Sequence, residues 1–151
     1  MYAVYDALSE PLRDMLDGMH AVHPMTKTLQ LMAAGGPYPD TLDGQMRNVH
    51  PCVRMHPETG RKSLFIDELW TEAIVELIPD ESAHLLEFLF EHVKKPDLSI
   101  RWHWKLNDIV VVDNRSTQHY AVPDYPGDKG VLQKVVLKGE RPYGPHDPRP
   151  S

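Results

Sequence analysis

Cys52 is the only cysteine in 151 residues. That excludes an intrachain disulfide, a thiolate zinc cluster and an iron–sulfur site, and it fits a reducing cytoplasm. No apolar run is long enough to span a bilayer, and Met1-Tyr2-Ala3-Val4-Tyr5-Asp6 has no basic stretch leading into an apolar core, so neither membrane insertion nor export is expected. Positive charge is scarce: 16 Lys and Arg stand against 22 Asp and Glu, a formal net charge of −6. Without a long basic run, nucleic acid and anionic membrane surfaces have little to hold. Small-molecule chemistry or contact with another protein remains.

With 41% apolar and 25% charged residues, the chain has globular composition and length for one core. Ser9-Glu10-Pro11 reads as a helix start: a hydroxyl caps free amides, an acid suits the positive helix end, and proline is tolerated in the first turn. Leu12, Met15, Leu16 and Met19 then recur at helical spacing and read as core. Residues 33–44 carry Gly, Pro and Asp without periodicity, the pattern of a long loop or lid. Segments 51–56 and 62–66 read as a hairpin whose turn, Pro57-Glu58-Thr59-Gly60, uses the glycine for a positive φ. Asp80 opens the clearest helix, with Leu85, Leu86, Leu89, Phe90 and Val93 on one face and Lys94-Lys95-Pro96 ending it. Strands are predicted over 99–104, 109–113 and 131–138. Residues 1–141 read as one domain, followed by a loose, proline-rich tail over 142–151.

The run Ile109-Val110-Val111-Val112, bounded by Asn107-Asp108 and Asp113-Asn114, is short and β-branched, and reads as a buried strand delivering a polar loop and His119. A short loop on a rigid strand aims one ring nitrogen with little freedom. That suits a metal ligand, and it equally suits a hydrogen-bonded structural histidine. His50 and His56 share parity along their strand, so they either face one side as metal donors or serve local turns and carbonyls.

Arg101-Trp102-His103-Trp104, Asn107-Asp108-Ile109 and Asp113-Asn114-Arg115-Ser116-Thr117-Gln118-His119-Tyr120-Ala121 closely resemble the C-terminal signature of the taurine dioxygenase family of Fe(II)- and 2-oxoglutarate-dependent oxygenases. His50-Pro51-Cys52-Val53-Arg54-Met55-His56-Pro57-Glu58-Thr59-Gly60-Arg61-Lys62 and Phe88-Leu89-Phe90-Glu91-His92-Val93-Lys94-Lys95-Pro96 resemble the same family in the same order. The resemblance implies a mostly β fold with flanking helices, the C-terminal part of a double-stranded β-helix or cupin-like jelly roll. It implies Fe(II) and 2-oxoglutarate as cofactor and cosubstrate, with His119 as the second iron histidine. Trp70 falls where the taurine enzyme places an aromatic beside its substrate, and core packing accounts for it equally well.

Two departures follow from the same comparison. The family's first histidine and carboxylate come from a His-x-Asp pair on an earlier strand; this sequence contains no His-x-Asp, and the expectation is a chain that starts after that strand. His56-Pro57-Glu58, the only His-x-Glu, falls in the hairpin turn. Where the family carries the arginine that forks onto 2-oxoglutarate stands Gly130, and four residues on, Lys134 replaces another arginine. Lys134 either keeps one positive charge in the cosubstrate pocket or is an exposed strand lysine. The function implied is oxidative hydroxylation of a small anionic substrate such as a sulfonate, incomplete in this chain. The alternative is a non-catalytic remnant, or a split half that self-associates or needs a complementing N-terminal polypeptide.

Overall fold

A computed structural model of the chain describes residues 1–24, 47–122 and 132–150. The predicted loop over 33–44 and position Gly130 lie outside the described residues.

Two short helices open the chain: α1, Tyr2–Asp6, and α2, Glu10–Asp17. Pro11 sits in the first turn of α2 as expected, but the Ser9 side chain makes no capping hydrogen bond. Tertiary contacts hold this helix instead. Leu16 is fully buried, and Asp17 accepts a hydrogen bond from Tyr5 Oη at 2.8 Å and pairs with Lys62 Nζ. Met15, expected in the core, is exposed. The sequence reading missed α1, whose five residues are too few for a periodicity to show.

Strand β1, His20–Pro24, is the centre of a three-stranded antiparallel sheet between β2, Arg47–Pro51, and β5, Ala73–Ile74. Its register sets Ala21 opposite His50 and His23 opposite Asn48. The predicted hairpin is present as β3, Val53–Met55, and β4, Lys62–Leu64, with Met55 opposite Lys62. Gly60 closes its turn at φ 67°, donating its N–H to the His56 carbonyl at 2.9 Å. Cys52 joins the two sheets: its N–H donates to the Met19 carbonyl at 2.8 Å, and its carbonyl accepts from Phe65 N–H at 2.7 Å. Burial pushes its thiol up to about 12, so Cys52 is an inert core residue in the folded chain.

Helix α3, Pro79–Val93, covers β5, burying Leu86 and Leu89 with Leu85, Phe90 and Val93 packed beside them, as the spacing required. His92 Nε2–H donates to the Val4 carbonyl at 2.9 Å and ties α3 to α1.

Residues 99–104, 109–113 and 132–138 depart from expectation, for none of them is in a sheet. Ile100, Ile109, Val111, Val135 and Leu137 are each at least 86% exposed. A strand exists only against a partner edge, and the described residues offer these segments none. The turn between the first two forms nonetheless: Asn107 takes φ 70° and Asp108 Oδ2 accepts the Lys105 N–H at 3.0 Å.

The residues from 142 to 150, expected to be loose, are docked. Met55 N–H donates to the Tyr143 carbonyl at 2.9 Å and Arg149 to the Pro57 carbonyl at 3.1 Å. Gly144 packs so closely that a Cβ there would stand 2.9 Å from Pro51 Cβ. Proline lacks an N–H but keeps its carbonyl, so proline content alone does not set a segment free.

Candidate functional site

The loop leading to His119 is braced from several directions. The Asp113 carbonyl accepts from Ser116 N–H at 3.1 Å, Thr117 N–H at 3.0 Å and Thr117 Oγ1 at 2.6 Å, while its Oδ1 accepts from Arg115 N–H at 2.9 Å. The sequence Asp-Asn-Arg-Ser-Thr thus folds as a self-capped turn. Asp113 Oδ2 meets His56 Nε2 at 2.6 Å. His56 Nδ1 accepts from the N–H groups of Glu58 and Thr59, both at 3.2 Å, so its Nε2 carries the proton and donates it to Asp113. That bond, with the Arg115 N–H, holds the Asp113 carboxyl below the usual carboxylate range. Downstream, Gln118 Nε2 donates to the Ile66 carbonyl at 2.6 Å, anchoring the residue beside His119.

An ionic cluster fastens the same turn. Arg115 grips Glu140 with two nitrogens, Nε to Oε1 at 3.0 Å and Nη2 to Oε2 at 2.9 Å, and Arg54 Nη2 reaches Glu140 Oε1 at 2.6 Å. The Arg115 bond is the main cause that lowers the Glu140 carboxyl to about 2. Glu140 was invisible to sequence reasoning because its partners lie 25 and 86 residues away, with no local pattern linking them.

His119 itself is exposed and makes no hydrogen bond among the described residues. Trp70 is partly buried and lines a cavity of about 260 Å³ with His23, His50, Phe65, Thr117 and Gln118. Lys134 is exposed and lies outside that lining. Trp70 and the stem of the His119 loop therefore meet at one cavity, while neither His119 nor Lys134 lines it. His50 and His56 do not share a face, because the chain bends at Cys52 between β2 and β3. His50 turns to His23 and Phe65, whereas His56 serves its own turn and Asp113. His23, which the sequence reading passed over, belongs to this cavity.

Among the described residues no group of three or more His, Cys, Asp or Glu is arranged to hold a metal ion. The described donors do not fit a complete site of two histidines and one carboxylate for Fe(II). Nor is any described helix long and apolar enough to cross a membrane.

The chain is 34% identical to an alkylsulfatase from Acinetobacter baylyi over 94% of its length and 47% of the relative's. It is 33% identical to an alpha-ketoglutarate-dependent sulfate ester dioxygenase from Pseudomonas putida, over 94% of this chain and 49% of that one. It thus spans about half the length of these curated relatives. Its fold superposes on a crystal structure of a taurine dioxygenase from Burkholderia xenovorans with a TM-score of 0.55 at 33% identity, covering 69% of this chain and 32% of that one. The model of the taurine catabolism dioxygenase TauD, TfdA family matches residues 1–136, from α1 through the braced turn and beyond Lys134, and the chain belongs to that family.

Proposed function

We propose that the chain is the His119-bearing portion of an Fe(II)- and 2-oxoglutarate-dependent dioxygenase, acting oxidatively on a small anionic organic substrate of the sulfonate or sulfate ester class. The observation that carries this reading is the turn at 113–117, held by His56, Arg115 and Glu140, with His119 just beyond it and its imidazole without a hydrogen-bond partner among the described residues. A ligand loop gains from such bracing, since aim depends on the groups behind it. Trp70 offers an apolar wall for the substrate's carbon skeleton, and Lys134 supplies a single positive charge in place of a fork. The relatives named for sulfate esters support the substrate class.

Because the donors described here do not complete an iron site, the chain alone binds Fe(II) weakly, water filling most of the coordination sphere. Anaerobic calorimetry measures this directly. Mixing with a polypeptide that carries the family's His-x-Asp strands restores tight one-to-one binding, and His119→Ala abolishes it again. Tight binding by the unmixed chain, lost in His119→Ala, would overturn the incomplete-site reading.

A second reading, a non-catalytic remnant or split half, is favoured by the exposed apolar segments 99–113 and 132–137. In the mixing experiment a remnant gives no recovery of iron binding, which separates it from a catalytic half.

A further inference from the structure

Strands β1 and β2 set two imidazoles beside each other in the cavity. His23 is opposite Asn48 and His50 opposite Ala21, so the two histidines are diagonal neighbours on one face of an antiparallel pair. Their ring centroids are 5.2 Å apart and the rings are nearly perpendicular, at 78°. Phe65 closes the other side, 5.5 Å from His23 and 5.7 Å from His50.

One nitrogen on each ring, His23 Nε2 and His50 Nδ1, is buried without a hydrogen-bond partner among the described residues. Buried polar atoms are nearly always paired, so two orphan nitrogens on neighbouring residues that line one cavity call for a partner. A cation shared by two imidazoles holds each nitrogen at about 2.0–2.1 Å, which at a tetrahedral angle sets the ring centroids about 5 Å apart. The observed separation matches.

We propose that His23 and His50 are the protein donors of a site for a borderline divalent cation, zinc(II), with waters in the cavity completing its coordination. No third His, Cys, Asp or Glu is placed to join them among the described residues, so the affinity is moderate. Burial, reinforced by the neighbouring His50, lowers His23 to about 4, and burial lowers His50 as well, so both rings keep a lone pair free at neutral pH. Asp67 lines the same cavity and favours positive charge there; Arg54 and Arg115 share the single Glu140 carboxylate, and Arg141 and Arg54 both act on His50 as positive charges, which lowers the affinity further. The site is separate from His119, which does not line the cavity, and it does not depend on the oxygenase reading.

Zinc(II) titration of the full chain tests the proposal, with cobalt(II) absorption reporting a low-symmetry site. One equivalent binds, His23→Ala and His50→Ala each weaken binding at least tenfold, and His119→Ala leaves it within twofold. Should a variant fail to fold, imidazole nitrogen NMR of the unmutated chain decides: zinc moves the resonances of His23 Nε2 and His50 Nδ1. Zinc that moves only His119 or the other histidines, or that does not bind, overturns the site.

Discussion

Size-exclusion chromatography of the purified 151-residue chain returns species larger than a monomer, and their thermal unfolding is broad. The cause lies in the segments that expectation placed in a sheet. Ile100, Ile109, Val111, Val135 and Leu137 are exposed at 95%, 88%, 91%, 89% and 86%. Burying one such side chain is worth about 1.5–3 kcal/mol, so five of them represent roughly 10 kcal/mol, comparable to the whole stability of an ordinary domain. Among the described residues the extended backbone of these segments has no strand partner, and such an edge pairs readily with another chain. Replacing Val111 and Val135 together by Lys shifts the population toward monomer while leaving the melting of the α3-covered core unchanged, since neither residue touches it. A wild-type monomer with one sharp transition would show that these segments need no partner.

Glu140→Ala lowers stability by about 3 kcal/mol, the low end of the cost of breaking a buried ion pair from one side, because Arg54 is buried while Glu140 is 27% exposed. Arg54, with its side chain only 8% exposed, is left as an uncompensated buried charge, and the Arg115 guanidinium loses all three of its bonds to the carboxylate. For a chain of this size that is a fall in melting temperature of about 6–12 °C. Labelling of Cys52 by iodoacetamide provides a second readout, because the buried thiol reacts only when the core opens. The pH dependence has a definite sign. The Glu140 carboxyl is lowered in the folded state to about 2 from an ordinary 4.5, so its contribution is fully present above about 4.5 and disappears as pH falls toward 2. In Glu140→Ala that part of the acid limb is missing. Identical melting of the variant and wild type would remove the cluster from any structural role.

The elements legible in the sequence are those whose determinants are local. Gly60 announced the hairpin turn through its positive φ, and the Leu86, Leu89 and Val93 spacing announced α3. Asp113-Asn114 announced a turn because such side chains bond the backbone just beyond them, as Asp113 Oδ1 does with Arg115 N–H. By contrast β1 is a five-residue strand, His-Ala-Val-His-Pro, whose two histidines disguise a central position in the sheet. The strands predicted over 99–104 and 109–113 failed for the opposite reason. Their residues have strand character, but pairing is a property of two segments, and propensity cannot supply the second. Within the candidate site, His119 was legible only through the resemblance, whereas Glu140 and His23 became visible once the fold brought distant residues together.

The Arg54–Glu140 contact spans 86 residues, and this sets a waiting time during synthesis. At about 5–20 residues per second, the ribosome takes on the order of 4–17 s to travel from one partner to the other. Throughout that interval the β3–β4 hairpin exists with its guanidinium uncompensated, and the Asp113 turn arrives before the carboxylate that fastens it. The nascent chain therefore cannot bury Arg54 at low cost until Glu140 has been made. A pause or a stop between residues 115 and 140 would release a polypeptide with most of its core residues present and its fastening absent, the kind of intermediate that chaperones hold and proteases remove.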